Sequence, residues 1–305
     1  MKRIIISLSI MIGLIWLISC SRERIEPTQQ LNSYEPIDDY LDSKKQEEQE
    51  FEITEEGDSP IQGLQGTKIW IAKDLLMFPD SSDVDFPFTV KLVELYTAKD
   101  MIYYQLPTVE RPKILETDGE IRVRVFKEDE NGVVQELLLK PDRVFAIEMP
   151  TDSVREDMKV YYGYTLNNKP DWTADVSDVN GNSADLYFTE NSNSYSAFIG
   201  KLGWINCGKP HLGFNGLTFT SETDELDNVG IFVYQPTYQT VSQAYALTSD
   251  NFEDSTFVKV IAMGINSDNE LFYTYLGVEL NSSGSIPITL ESISDDQLTA
   301  LLDSL

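Results

Sequence analysis

Ile121-Arg122-Val123-Arg124-Val125-Phe126 sets β-branched residues at alternate positions with arginines between them. Side chains of a strand point to opposite faces in turn, so this period of two gives a strand with one apolar face and one wet, cationic face. The same texture recurs outward. Upstream, Phe88, Val90 and Leu92 alternate with Thr89 and Lys91, and Lys68-Ile69-Trp70-Ile71 precedes them. Downstream, Asn131-Gly132 stands between apolar runs, where positive φ at both positions suits a tight hairpin. Residues 133–139, 144–149 and 158–164 continue the series, punctuated by Pro107, Pro112, Pro141 and Pro150. The spacing predicts a β-sandwich domain over 63–165.

Residues 166–195 are crowded with Asn, Asp and Ser and read as a polar linker or long loop, with Trp172 alone in it. Alternation resumes at 195–207, 229–234, 257–264, 271–280 and 286–290, separated by turn clusters such as Ser267-Asp268-Asn269. A second β domain is expected over 196–305. Ser294 with Gln297 makes a capping-box pattern, Asp295 and Asp296 suit the positive end of a helix dipole, and Leu298, Leu301, Leu302 and Leu305 share one face. A short C-terminal helix follows. The fold class expected is all-β, with two sandwich-like domains in tandem.

The opening segment has another character. Lys2 and Arg3 precede an unbroken apolar run from Ile4 to Ile18, followed by Ser19 and Cys20. A basic flank, a short apolar core and small residues make an export signal. Leu17-Ile18-Ser19-Cys20 resembles the lipobox of bacterial lipoproteins, which implies a signal peptide over 1–19 and acyl chains on the Cys20 thiol. Those chains would hold the protein on a membrane without a spanning helix. The implied location is the outer membrane, on its periplasmic or its surface side. Residues 21–60 carry 13 acidic and 4 basic residues and little apolar surface, so 20–62 reads as an acidic, flexible tether, in which Lys44 to Phe51 offers a short exposed helix.

The whole chain has 23 Lys+Arg against 51 Asp+Glu, a net charge of −28. Without residues 1–19 the count becomes 21 against 51, or −30. Such a field repels phosphate backbones and excludes nucleic acid as a partner. Cys20 and Cys207 are the only cysteines, so an acylated Cys20 leaves Cys207 without a disulfide partner.

Glu94 to Thr108, Leu115 to Val123, and Leu202-Gly-Trp-Ile-Asn-Cys207 together resemble a family of Bacteroidota lipoproteins of uncharacterised function that carry a Gly-Trp-Ile-Asn-Cys motif, with Trp172 also in a matching place. The first domain is similar to ZU5-type β-sandwiches. Where the family motif continues with an aspartate, this chain has Gly208-Lys209-Pro210-His211. The resemblance supplies no catalytic residues.

Cys207 and His211 are the only thiol and imidazole after Cys20. Four residues apart around Gly208 and Pro210, they are read as a small buried thiol at a strand end and a solvent-facing histidine, not as a nucleophile and base. Two ligands do not make a zinc site. Asp178, Asn180 and Asn182 offer oxygen ligands for calcium in the polar loop, but glycine and acid fall outside EF-hand positions. Trp172 is a possible sugar-stacking residue, whereas Trp70 and Trp204 belong to strand cores. No cofactor is implied. The function expected is non-catalytic binding or scaffolding with an envelope protein or glycan partner. The alternatives are a carbohydrate-binding lipoprotein and a hydrolase using paired carboxylates.

Overall fold

The computed structural model describes residues 35–57, 59–175, 186–187, 193–280 and 284–305. Residues 34–305 form one compact unit. Cys20 and the calcium candidates Asp178, Asn180 and Asn182 lie outside the described residues.

The fold is all-β and is built around the strand that contains the Ile121–Phe126 alternation. That strand is β7 (Lys113–Glu128), the spine of an eight-stranded sheet. The main path of the sheet runs β1 (Gln49–Ile53), β5 (Phe88–Leu95), β7, β15 (Gly203–His211), β11 (Lys159–Leu166) and β12 (Lys169–Thr173), all antiparallel. Short β6 (Val109–Glu110) and β8 (Val134–Glu136) also pair with β7. A five-stranded sheet packs on one face, in the order β13 (Leu186–Tyr187), β14 (Ser194–Ile199), β10 (Phe145–Pro150), β3 (Lys68–Trp70) and β2 (Ile61–Gln62). Between the two sheets lies a core of Phe88, Val90 and Leu92 from β5, Ile121, Val123 and Val125 from β7, and Ile147 and Met149 from β10. Each fully buried Val, Leu or Ile there contributes about 1.5–3 kcal/mol relative to exposure. A small pair, β4 (Leu76–Met77) with β9 (Leu138–Leu139), closes one end.

The second face of the eight-stranded sheet is also buried. Val93, Leu95, Leu115, Tyr161 and Trp172 on that face meet Phe232, Tyr234, Ile261 and Met263 of a third sheet. This sheet runs β18 (Thr240–Gln243), β17 (Val229–Gln235), β19 (Thr256–Ile265), β20 (Leu271–Leu280) and β22 (Glu291–Ser292). Its far face, with Ile231, Val233, Val258 and Val260, is covered by a parallel pair, β16 (Leu217–Thr220) with β21 (Gly284–Pro287). The expectation of two tandem domains is therefore corrected. β14 and β15, placed after the 196 boundary or across it, pair within the first sandwich, and β15 sits between β7 and β11. Without β15 those two strands would face each other across a gap with unpaired backbone groups, which is costly when buried.

The expected tether over 20–62 is corrected where it is described. α1 (Ile37–Ser43) buries Ile37, Tyr40 and Leu41, and β1 adds an edge strand beside β5. The helix lies upstream of the stretch expected for it, because Phe51 and Ile53 alternate with Glu50 and Glu52 and pack against the sandwich core as a strand. The chain is fastened from its first described residues. The Glu35 and Ile37 N–H groups donate to the Asn269 and Asn228 side-chain oxygens at 2.9 and 2.8 Å.

α2 (Ala98–Tyr103) starts at Thr97, whose hydroxyl accepts from the Asp100 N–H at 3.2 Å. α3 (Asp295–Asp303) has the expected capping box, with Gln297 N–H donating to Ser294 Oγ at 3.3 Å and Ser294 N–H to Gln297 Oε1 at 3.1 Å. Leu298 and Leu302 are buried and Leu301 and Leu305 half-buried, in the layer shared by the eight-stranded and third sheets. In the β7–β8 hairpin only Gly132 has positive φ. The Asp129 carboxylate accepts from the Asn131 and Val133 N–H groups, so a longer loop replaces the two-residue turn.

Candidate functional site

β15 carries both the thiol and the imidazole. Cys207 faces the sandwich core and is buried. Burial pushes its thiol well above the usual range and the nearby Asp118 pushes it further, against a smaller opposing pull from Arg155. Among the described residues no hydrogen bond joins it to His211. Such a thiol is not a nucleophile, because the thiolate is the reactive form. A bulge between Asn206 and Gly208 places Cys207 within the strand, not at its end.

His211 is not solvent-facing as expected. Its ring stacks on Tyr238 with centroids 3.9 Å apart, Nε2 lies 2.8 Å from Glu116 Oε2, and Nδ1 lies 3.4 Å from Glu253 Oε1. The Tyr238 hydroxyl donates to Glu253 Oε2 at 3.1 Å. Glu116 continues the chain of contacts through Arg155 Nη1 at 3.0 Å, and Arg155 Nε reaches Asp118 Oδ1 at 3.3 Å. Tyr195 donates its hydroxyl to the other Asp118 oxygen. Asp118 borders a cleft of about 310 Å³ with Gln65, Thr151, Arg155 and Gln239. Burial raises its carboxyl above the ordinary value, although Tyr195 and Arg155 pull the other way. Both oxygens of Glu116 and of Asp118 already have partners. A hydrolytic carboxylate pair must exchange protons with substrate or water, and here each oxygen would first have to give up a partner. The array ties β7, β15 and the 151–158 loop to the segments holding Tyr238 and Glu253.

Trp172, the expected sugar-stacking residue, is fully buried. Its indole N–H donates to the Pro107 carbonyl at 2.8 Å, and it belongs to the layer between the eight-stranded and third sheets. The polar neighbourhood in sequence is misleading for a specific reason. Asp171 beside it is also buried, because it accepts from the Arg111 and Trp172 N–H groups at 3.1 and 2.8 Å and pairs with Arg111 Nη1 at 3.3 Å. Arg111 Nε also reaches Asp250 Oδ1 at 3.0 Å, and Ser242 of β18 donates its hydroxyl to the other Asp250 oxygen at 2.9 Å, which ties β12 to the third sheet. Trp204, expected in a core, is half-buried under the Arg122 guanidinium, 4.9 Å from its centroid, and edge-on to Tyr104.

The larger apolar opening lies at a corner of the sandwich, near the C-terminal end of β1 and the strands β2 and β3. There a cleft of about 600 Å³ is lined by Ile53, Ile61, Trp70, Ile71, Leu75 and Phe86, with Glu55, Glu56 and Asp74. The six apolar residues are half-buried and the three acids exposed. β1 and β2 are the edge strands of their sheets. The Phe86 ring stacks on Phe88 at 5.6 Å and has Lys73 Nζ 5.2 Å from its centroid. Apolar walls with a few polar groups in a volume of this order are the usual make-up of a ligand site.

Sequence reasoning missed this cleft. Trp70 reads as a core strand residue and Glu55-Glu56 as tether, and they meet only because β1 joins one sheet, β2 and β3 the other, and the two sheets stack. Among the described residues no group of three His, Cys, Asp or Glu side chains is placed to hold a metal ion. No described helix is long and apolar enough to cross a membrane. No protein-family model, curated protein or solved structure matches the chain.

Proposed function

We propose that this protein is an envelope lipoprotein of the Bacteroidota type, anchored in the outer membrane through acyl chains on Cys20, and that it works by binding and not by bond chemistry. The observation that carries the binding role is the corner cleft, where half-buried Ile, Leu, Phe and Trp side chains stay accessible beside exposed carboxylates. A folded body ordinarily closes such apolar surface, and surface left open marks an interaction site. The anchorage rests on the leader and its terminal cysteine. The body is fastened from Glu35 onward, so the described residues from 35 to 62 belong to it and not to the tether expected from composition.

A photo-crosslinking amino acid at Ser59, on the cleft, tests the reading in the intact envelope. The expected result is a discrete adduct that disappears in the Trp70→Ala background and is absent when the crosslinker sits at Glu222. Absence of any Ser59-dependent adduct would overturn the binding role of the cleft. The Cys20→Ser variant tests the anchor by membrane fractionation, and a variant that stays membrane-bound with its leader removed would refute it.

A further inference from the structure

We infer that the corner cleft takes a cationic, aliphatic polypeptide segment in extended conformation, an inference that rests on the cleft being the binding site. Three features of the cleft point to that chemistry. The aliphatic wall of Ile53, Ile61, Ile71 and Leu75 is half-buried, so a ligand presenting branched aliphatic side chains removes the remaining apolar surface from water. Glu55, Glu56 and Asp74 are exposed, and among the described residues none of them is ion-paired. A neutral or anionic ligand covering them would strip water from carboxylates without replacing it, whereas a lysine or arginine supplies the missing partner. A cation also sits against the aromatic part of the wall within the chain, with Lys73 Nζ 5.2 Å from the Phe86 ring centroid.

Two further points separate a peptide from a sugar or a small polycation. Phe86 is engaged by Phe88 and Lys73, which leaves Trp70 as the only other ring in an otherwise aliphatic wall, a single stacking surface for a sugar against a continuous aliphatic one for a peptide. β1 and β2 each have a single neighbour in their sheets, so an incoming extended chain finds strand edges at the same corner as the apolar wall. The net charge of −28 favours approach of any cation, and its effect shortens with salt.

The test uses the full-length protein in a neutral detergent and measures fluorescence anisotropy with three labelled probes. These are an alternating Lys-Val octapeptide, an alternating Glu-Val octapeptide and chitohexaose. The Lys-Val peptide is expected to bind, to weaken as salt is raised, and to lose at least about tenfold in affinity in Glu55→Lys/Glu56→Lys. Glu222→Lys/Glu225→Lys, an equal charge change on exposed residues outside the cleft, is expected to leave binding unchanged. Equal losses in the two double variants would reduce the effect to general charge attraction and overturn the inference. Tighter binding of the Glu-Val peptide or chitohexaose, abolished by Trp70→Ala, would also overturn it while leaving the cleft as the binding site. Failure of all three probes together with a silent Ser59 crosslinker would remove both readings.

Discussion

Trp172→Ala separates a buried packing residue from a ligand-stacking one. The side chain is fully enclosed between the eight-stranded and third sheets, and its indole N–H is one of two donors to the Pro107 carbonyl. Truncating a buried Trp to Ala removes its transfer free energy and leaves a cavity that the surroundings fill only in part, so the loss expected is about 3–5 kcal/mol. For a body of this size about 2 °C of melting temperature goes with each kcal/mol, hence a fall of roughly 6–10 °C. Trp172→Phe keeps much of the ring volume and removes one of two donors to the Pro107 carbonyl, which still accepts from the Val109 N–H at 3.1 Å, so about 0.5–1.5 kcal/mol is expected. Urea titrations followed by far-UV circular dichroism measure both variants, since fluorescence would change with the indole itself. A loss below about 1 kcal/mol for the alanine variant would mean that the indole is not enclosed, and the layered packing described above would be wrong.

Glu120 and Cys207 give two further tests. The Glu120 carboxyl is fully buried, accepts only from Asn206 Nδ2 at 3.0 Å and has no partner for Oε2 among the described residues; burial raises it well above the usual carboxylate range, with the Asn206 bond pulling weakly back. Its folded-state pKa therefore exceeds the unfolded value of about 4.3, so stability is fully present below that value and falls as pH rises above it, by up to about 1.4 kcal/mol per unit. Glu120→Gln should flatten this slope in denaturation curves collected between about pH 5 and 7, and parallel curves for the two proteins would contradict a neutral buried acid. Cys207 should resist iodoacetamide in the folded protein at mildly alkaline pH and react once urea unfolds it, as read by mass spectrometry. Rapid labelling of the native chain would place the thiol at the surface.

Much of the local structure is legible in the residues. Ile121, Val123 and Val125 announce a strand with one core face, and Ser294 with Gln297 and the leucines at 298, 301, 302 and 305 announce the terminal helix. These are properties of short segments, set by side-chain alternation and by capping groups within a few positions of one another. Charge is equally local, since a simple count of 51 acids against 23 bases sets the sign of the field whatever the fold. Strand β1 shows where that legibility fades. Phe51 and Ile53 carry the right period, but two apolar positions among acids are too few to outweigh the composition around them.

What the tertiary structure alone decided is which strands are neighbours and which residues end up inside. Pairing β15 between β7 and β11 joins two stretches that sequence order keeps apart, and it turns a linker tryptophan into an interior one because Arg111 neutralises the buried Asp171 beside it. The corner cleft has the same origin, since Glu55, Trp70 and Phe86 belong to separate segments and converge only after two sheets are stacked. Side-chain period fixes the faces of each strand. Long-range burial, summed over all strands at once, fixes their order, and no single segment contains that sum.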